Sequence, residues 1–475
     1  MKAPIMRLYG VVVVLFAVLI GFTSYWSVFE AEALRNQPAN RRDELQEQRI
    51  RRGIIRTADG KLIAGSRKLS DGRYRRRYPQ GKLFGHPIGY NFANLGASGI
   101  ETFYNDQLTG RRTELVSVFD SLLGRDRIGQ DLQTTLDAKA QEVAQGALAA
   151  AQGGRGSVVA LDVETGAVRV MVSSTPFDPN DLDDGPTFKQ LSTDETNTPL
   201  VNRATQGLYP PGSTFKAVTA AAALDSGRYT PESQISGANG KSISGVPLQN
   251  FGGEDLGSVT LTFALTNSVN TVFGEIGEQL GKSTMNRYME RFGFNERPPI
   301  DLPESQLASS GERRNGKLIP ATSRFVDVGR MSIGQDKLLV TPLQMASVAQ
   351  TIGNGGVRMK PFIGKKAVDQ EGRTTLSNEP DEAERVMSGA SASALTAMMK
   401  QVVKEGTGTA AALSGVELAG KTGTAELNND GLNNLWFIGF TDKHAVAVLV
   451  ERVRGGFGGT VSAPIAKQVL EALGD

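Results

Sequence analysis

The sequence predicts an α+β fold: an antiparallel sheet with helices on its faces, preceded by a transmembrane helix and a smaller domain. Three observations carry this. A strand pair opens the larger part of the chain, over residues 157–163 and 167–172, and Glu164-Thr165-Gly166 joins it into a hairpin. A second strand pair, 435–440 and 445–450, and a last helix over 463–473 close the chain, with helix-rich segments between the two pairs. Near the N-terminus, residues 8–29 carry no charge and include the run Val11 to Ile20, and about 20 apolar residues suffice to cross a bilayer.

Taken in order, residues 1–7 read as a cytoplasmic tail and 8–29 as the anchor. Lys2 and Arg7 precede it while Glu30 and Glu32 follow, which keeps the N-terminus inside, and Tyr25 and Trp26 suit the far interface. Ala31-Glu32-Ala33 imitates a signal-peptide cleavage site, but the apolar run exceeds the roughly 7–15 residues of such peptides. Residues 30–52 read as a polar helix leaving the membrane and interrupted by Pro38. Arg41, Arg42, Arg49, Arg51 and Arg52 are followed by a second basic cluster, Arg73, Arg75, Arg76 and Arg77, read as solvated surface or as a contact for anionic lipid or wall polymer. The small domain covers 30–152 and ends on an alanine-rich helix that begins around Asp137 and runs to about Ala151. Gly153-Gly154-Arg155-Gly156 is a hinge, and 153–475 form the large domain. The acidic stretch 176–200 reads as the edge of a cleft or as plain surface, and Gly455-Gly456 with Gly458-Gly459 as a tight turn.

Composition narrows the chemistry. The 475 residues hold 39% apolar and 21% charged residues, ordinary for a globular protein, and a net charge of +2 argues against a nucleic-acid partner. With no cysteine there is no disulfide and no thiol nucleophile. Only His86 and His444 are present, which makes a Ser-His-Asp triad improbable and removes a His-rich metal site.

Three short patterns, each occurring once, supply an alternative. They are Ser213-Thr214-Phe215-Lys216, then Ser268-Val269-Asn270, then Lys421-Thr422-Gly423 followed by Thr424. A serine hydroxyl needs a base before it attacks. Ser213 follows the turn Tyr209-Pro210-Pro211-Gly212 and precedes an alanine-rich helical run to Leu224, so Lys216 lies one helical turn away on the same face. Burial and a second cation, for which Lys421 is the candidate, would bring Lys216 down from about 10.4 to where it can accept a proton. Ser268 and Asn270, two apart, point the same way on an extended or turn segment. The first can relay a proton to a leaving amine, and the second can hold Lys216 and bind a substrate amide. Lys421 to Thr424 reads as an inner edge strand whose lysine and hydroxyls bind a carboxylate. Gly423 lets backbone approach there, and the N–H groups of Ser213 and Thr424 are the natural oxyanion hole.

On these residues the chain resembles the class B penicillin-binding proteins, monofunctional D,D-transpeptidases, and most of all the short penicillin-binding protein A type of actinobacteria. The likeness extends to the run Asn202 to Gly212, to Met331-Ser332-Ile333-Gly334-Gln335 with Thr341-Pro342-Leu343-Gln344, to Glu405-Gly406-Thr407-Gly408-Thr409-Ala410, to Trp436-Phe437-Ile438-Gly439-Phe440 and to Gly458 through Ile465. Arg52-Gly53-Ile54-Ile55, Gly60 to Ala64, and Gly96 to Glu101 with Tyr104, Leu108 and Gly110 resemble blocks of the family's pedestal. The chain departs from the pattern at Thr57-Ala58, where the family usually has Asp-Arg, and at Glu426, where it often has Gln.

The resemblance implies a penicillin-binding/β-lactamase-like transpeptidase domain behind a pedestal, outside the cytoplasmic membrane. It implies Ser213, Lys216, Ser268 and Asn270 as catalytic residues and Lys421, Thr422, Gly423 and Thr424 as substrate-binding residues, with no cofactor or metal. The expected partners are peptidoglycan stem peptides, β-lactam antibiotics, the membrane and a polytopic glycan polymerase. Two other readings share the motifs: a hydrolase, either a D,D-carboxypeptidase or a β-lactamase, and a non-enzymatic β-lactam sensor or scaffold. Val269 stands where β-lactamases usually carry Asp, and the roughly seven residues before the anchor are too few for a sensor's output module.

Overall fold

The computed structural model describes residues 2–26, 47–111, 128–427 and 431–475. Helix α1 (Lys2–Ser24) contains Leu8 to Phe22, and its side chains from Pro4 onward are exposed. It overlaps the one span among the described residues, Pro4–Trp26, long and apolar enough to cross a membrane. Most of the helix expected over 30–52, with Pro38, Arg41 and Arg42, lies outside the described residues.

Strands β1 (Ile55–Arg56), β2 (Leu62–Lys68), β3 (Tyr74–Arg77) and β4 (Asp131–Thr134) build the first sheet. Helix α2 (Ala138–Ala150) follows, with the Asp137 carboxylate accepting from Ala140 N at 2.8 Å as its N-terminal cap. The hairpin β5 (Gly156–Asp162) and β6 (Val168–Ser173) forms where the two strand runs and the turn Glu164-Thr165-Gly166 predict it. Helices α3 (Lys216–Asp225), α4 (Leu261–Thr266), α5 (Asn270–Arg291) and α6 (Pro342–Gly353) come next. They are followed by β7 (Gly364–Val368), β8 (Thr374–Ser377), α7 (Gly389–Lys404), β9 (Ala419–Leu427), β10 (Leu432–Phe440), β11 (His444–Arg454) and α8 (Gly458–Leu473).

The central sheet runs β9-β10-β11-β5-β6, antiparallel throughout, so the two ends of the large domain meet in its middle, where β11 pairs with β5. Its strands carry near-continuous buried runs such as Val158 to Leu161 and Leu435 to Ile438, because helices cover both faces. One face packs with α2 and α8 in a cluster holding Val158, Leu435, Phe437, Ala463 and Val469, and the other faces the larger core with α3, α6 and α7.

The first sheet runs β8-β7-β4-β1-β2-β3. Two of its strands, β7 and β8, come from beyond residue 360, so the chain returns from the large domain to complete a sheet begun near the N-terminus. Helix α2, the last element before the hinge in sequence, packs on α8 and β6. At the junction the buried Asp301 carboxylate accepts from Ile363 N at 2.7 Å, Gly364 N at 2.6 Å and the Tyr104 hydroxyl at 2.7 Å.

The basic cluster at 73–77 is largely paired. Arg76 and Arg52 are both buried and both donate to the fully buried Glu101 at 2.6 Å; Arg73 bonds Asp71, and Arg75 pairs with Asp183. The stretch 176–200 holds a 3-10 turn, Pro179–Asp183, and a short helix, Gly185–Ser192. It docks on the first sheet, with Asn180 bonding both Tyr78 N and Tyr78 O. Thr57, at the departure from the family pattern, accepts from Lys61 N at 2.9 Å and closes the turn between β1 and β2. His86 is buried with its Nε2 2.9 Å from Pro199 O, and burial pushes it down to about 4.

Candidate active site

The turn carrying Ser213 is fixed from three sides. Tyr209 pairs with Val340 through reciprocal backbone bonds of 2.9 and 2.8 Å. Gly212 N donates to Gly334 O, and Trp436 Nε1, from the strand next to the edge, donates to Pro210 O at 3.0 Å. Ser213 itself sits in a 3-10 turn, Gly212–Phe215, that runs into α3, where an α-helical start is the simpler expectation. In that geometry residues three apart eclipse, which sets Lys216 above Ser213. The Ser213 hydroxyl makes no hydrogen bond among the described residues and remains partly exposed.

Lys216 is fully buried. Its Nζ donates to Ser268 O and to Asn270 Oδ1, each at 2.7 Å, and lies 3.2 Å from Ser268 Oγ and 5.6 Å from the centre of the Phe273 ring. Ser268 holds these contacts from a left-handed backbone (φ 60°) in the short link between α4 and α5, and Asn270 is the first residue of α5. The Asn270 amide donates onward to Gln249 O at 3.0 Å.

Lys421 is also fully buried, on the edge strand β9. Its Nζ donates to the same Ser268 hydroxyl at 3.0 Å and to Thr422 O at 3.1 Å. Burial lowers Lys421 to about 7. Burial first, and then the charge of Lys421, push Lys216 well below the usual lysine range. One hydroxyl thus lies between two amines that gain little from being charged. A neutral amine has two N–H groups, and the two 2.7 Å contacts of Lys216 use both, which leaves its lone pair free to take a proton.

Strand β9 presses on the Ser213 turn at Gly423. A Cβ there would stand 2.8 Å from Pro211 O and 3.1 Å from Thr214 N, so any side chain would separate the strand from the turn. Gly334, at φ 77°, makes the corresponding contact from behind, its would-be Cβ only 1.9 Å from Gly212 O. Among the described residues β9 is the last strand of its sheet, and its Lys421 reaches the Ser268 hydroxyl from that edge. The Thr422 hydroxyl is 2.6 Å from the Thr407 hydroxyl, and Thr424 Oγ1 accepts from Gly458 N at 3.4 Å.

All eight residues singled out in the sequence therefore come together where the Ser213 turn, the Ser268–Asn270 link and strand β9 meet. Thr407, Gln249 and Trp436 belong to the same construction and were not placed in it from sequence. Thr407 and Trp436 lie inside segments that carry the family likeness, but only tertiary contact shows what they touch. No local pattern marks Gln249.

Comparison with known proteins agrees with this geometry. The family described as penicillin binding protein transpeptidase domain matches residues 156–471, and that described as penicillin binding protein A dimerisation domain matches residues 52–132. The chain is 35% identical to peptidoglycan D,D-transpeptidase PbpA of Mycolicibacterium smegmatis, over 99% of each chain. This chain is a class B penicillin-binding protein. Its fold superposes on penicillin-binding protein A of M. tuberculosis, solved as a ceftriaxone acyl-enzyme complex, with a TM-score of 0.82 at 31% identity, covering 91% of this chain and 100% of that one. A D,D-transpeptidase domain from Eggerthella lenta gives 0.78 at 32% identity, covering 90% and 98%. The class B pedestal corresponds to the body around the first sheet, and the transpeptidase domain to the body around the central one.

Neither histidine of this penicillin-binding protein takes part in these contacts. His444 sits at the start of β11, its Nδ1 3.0 Å from the carboxylate of Asp475 at the C-terminus, and His86 is structural. No group of three or more His, Cys, Asp and Glu that could hold a metal occurs among the described residues. Gly455 and Gly456 are the left-handed turn after β11, while Gly458 and Gly459 open α8.

Proposed function

We propose that this penicillin-binding protein is a peptidoglycan D,D-transpeptidase acting through an acyl-enzyme on Ser213. The observation that carries the assignment of roles is the cluster in which two buried amines, Lys216 and Lys421, share the Ser268 hydroxyl beneath the Ser213 turn. Neutral Lys216 takes the Ser213 proton as the oxygen attacks the carbonyl between two terminal D-alanines of a stem peptide. The N–H groups of Ser213 and Thr424 hold the oxyanion. Ser268 hands a proton to the departing D-alanine amine and is resupplied from the amine beside it, while Asn270 orients both Lys216 and the donor peptide. Lys421, with the hydroxyls of Thr422 and Thr424, receives the terminal carboxylate, and Gly423 admits the donor's backbone along the edge strand. The amine of a neighbouring stem peptide then attacks the Ser213 ester, forming the cross-link and freeing the serine. β-Lactams enter by the same first step and leave slowly.

Residues 8–29 anchor the chain in the cytoplasmic membrane with the N-terminus inside and the transpeptidase domain outside, as the placement of Lys2, Arg7, Glu30 and Glu32 supports. A polytopic glycan polymerase is the partner that would supply strands to join. Val269 between Ser268 and Asn270, together with the pedestal, favours transpeptidation over hydrolysis. Incubation with a pentapeptide donor and an amine acceptor, read by mass spectrometry, should give the cross-linked product with negligible penicillin turnover. Rapid penicillin hydrolysis with no aminolysis product would transfer the assignment to a hydrolase.

A further inference from the structure

The segment Glu405 to Ala410 joins α7 to β9, and none of its side chains has a part in the chemistry so far. Among the described residues, Thr407 is the one member whose side chain hydrogen-bonds a motif residue: its hydroxyl lies 2.6 Å from that of Thr422. Thr407 is exposed, whereas Thr422 is buried.

The backbone of Thr407 is held from two directions. Its N–H donates at 3.4 Å to the carbonyl of Thr266, the last residue of α4 and two before Ser268. Its own carbonyl lies where a Cβ on Gly459 would stand only 2.1 Å away, so the start of α8 approaches this closely because it begins on glycines. The same Cβ would be 3.5 Å from Thr422 Cγ2, which brings Thr407, Thr422 and the start of α8 to one point. The Thr407 hydroxyl is therefore offered to β9 from a support fixed between two helices.

Two hydroxyls have two hydrogens, and the bond between them uses one. Neither oxygen has another hydrogen-bond partner among the described residues. If Thr422 donates to Thr407, its oxygen offers an incoming carboxylate only lone pairs. If Thr407 donates to Thr422, the Thr422 O–H is left for a third group. An anion selects the second arrangement, and the incoming bond polarises the outgoing one and strengthens it. The pair also keeps the Thr422 side chain in one rotamer.

We propose that Thr407 is a positioning residue for the substrate's terminal carboxylate: its hydroxyl donates to that of Thr422 and so commits the Thr422 O–H to the carboxylate. Thr407 acts through Thr422 and need not touch the substrate. This rests on the reading above in which Lys421, Thr422 and Thr424 receive that carboxylate.

The test compares second-order rates of Ser213 acylation by benzylpenicillin and by its methyl ester, in which the carboxylate is capped. For Thr407→Val, the rate with the free acid should fall about tenfold, the effect of weakening one bond to a charged group, while the rate with the ester stays within twofold. Thr407→Ser, which keeps the hydroxyl, should retain the wild-type ratio of the two rates within threefold. Thr407→Val/Thr422→Val should acylate no more slowly than Thr422→Val, because the first hydroxyl acts only through the second. A structural role would slow both compounds together. Equal slowing of acid and ester in Thr407→Val, an unchanged ratio, or losses that multiply in the double variant would overturn the assignment. If the wild type takes the ester as readily as the acid, the carboxylate site itself fails and Thr407 with it; if the wild type prefers the acid and Thr407→Val keeps that preference, only the role of Thr407 fails.

Discussion

The chemistry at the residue scale depends on where two lysines keep their protons. Lys421 titrates at about 7 in the folded chain against about 10.5 unfolded. Between those values the unfolded chain holds a proton that the folded chain has lost, so stability rises with pH across the window and the penalty is full below it. Lys216 acts in the same sense. Lys421→Met removes one such group. The variant should be more stable than the wild type at pH 7, and the difference should shrink as pH approaches 10, while penicillin acylation falls at least tenfold. Urea midpoints at pH 7, 8.5 and 10 measure the first and a fluorescent penicillin the second. Midpoint differences independent of pH would show that Lys421 is charged in the fold. Spacing and residue type suffice to name an amine, a hydroxyl and an amide. The shared role of Ser268 is not legible there, because its bonds to both lysines come from segments 52 and 153 residues away.

At the scale of elements, the site is a strand pressed against a turn, and glycines set the separation. Gly423→Val places a branched side chain where even a Cβ would be 2.8 Å from Pro211 O. The Ser213 turn must then move by an ångström or so, and misplacement of that size lowers rates about a hundredfold. The expected result is acylation reduced at least that much with the central sheet intact, so that the far-UV spectrum is unchanged; acylation within threefold of the wild type would refute the contact. The strands 157–163, 167–172, 435–440 and 445–450 were legible because they are short, apolar and bounded by turn residues. Strands β7 and β8 were not assigned to the first sheet because the strand that ties them to it, β4 paired with β7, lies more than 200 residues earlier, and pairing at that separation leaves no local trace.

At the scale of the whole molecule, the pedestal depends on one buried carboxylate. Glu101 faces two buried guanidiniums, and desolvation alone would raise it, but Arg76 and Arg52 hold it below the usual glutamate range. The family likeness at Glu101 was visible in sequence, whereas Arg76 was counted there among surface arginines. Removing the acid leaves two charges buried without a counter-charge, which costs about 3–5 kcal/mol. Glu101→Ala should therefore unfold the pedestal at markedly lower temperature, seen as an early transition in calorimetry, while penicillin acylation at 25 °C survives. A thermogram superposable on the wild type would contradict this.

The central claim is that Ser213 becomes nucleophilic because a neutral amine, Lys216, stands beside it. Peptide-resolved mass spectrometry after brief exposure to penicillin, repeated from pH 5 to 9, tests that directly. The account predicts one adduct, on Ser213, whose formation rate rises with pH and which is absent in Lys216→Ala. An adduct on another residue, or Ser213 acylated equally fast with and without the Lys216 amine, would contradict it.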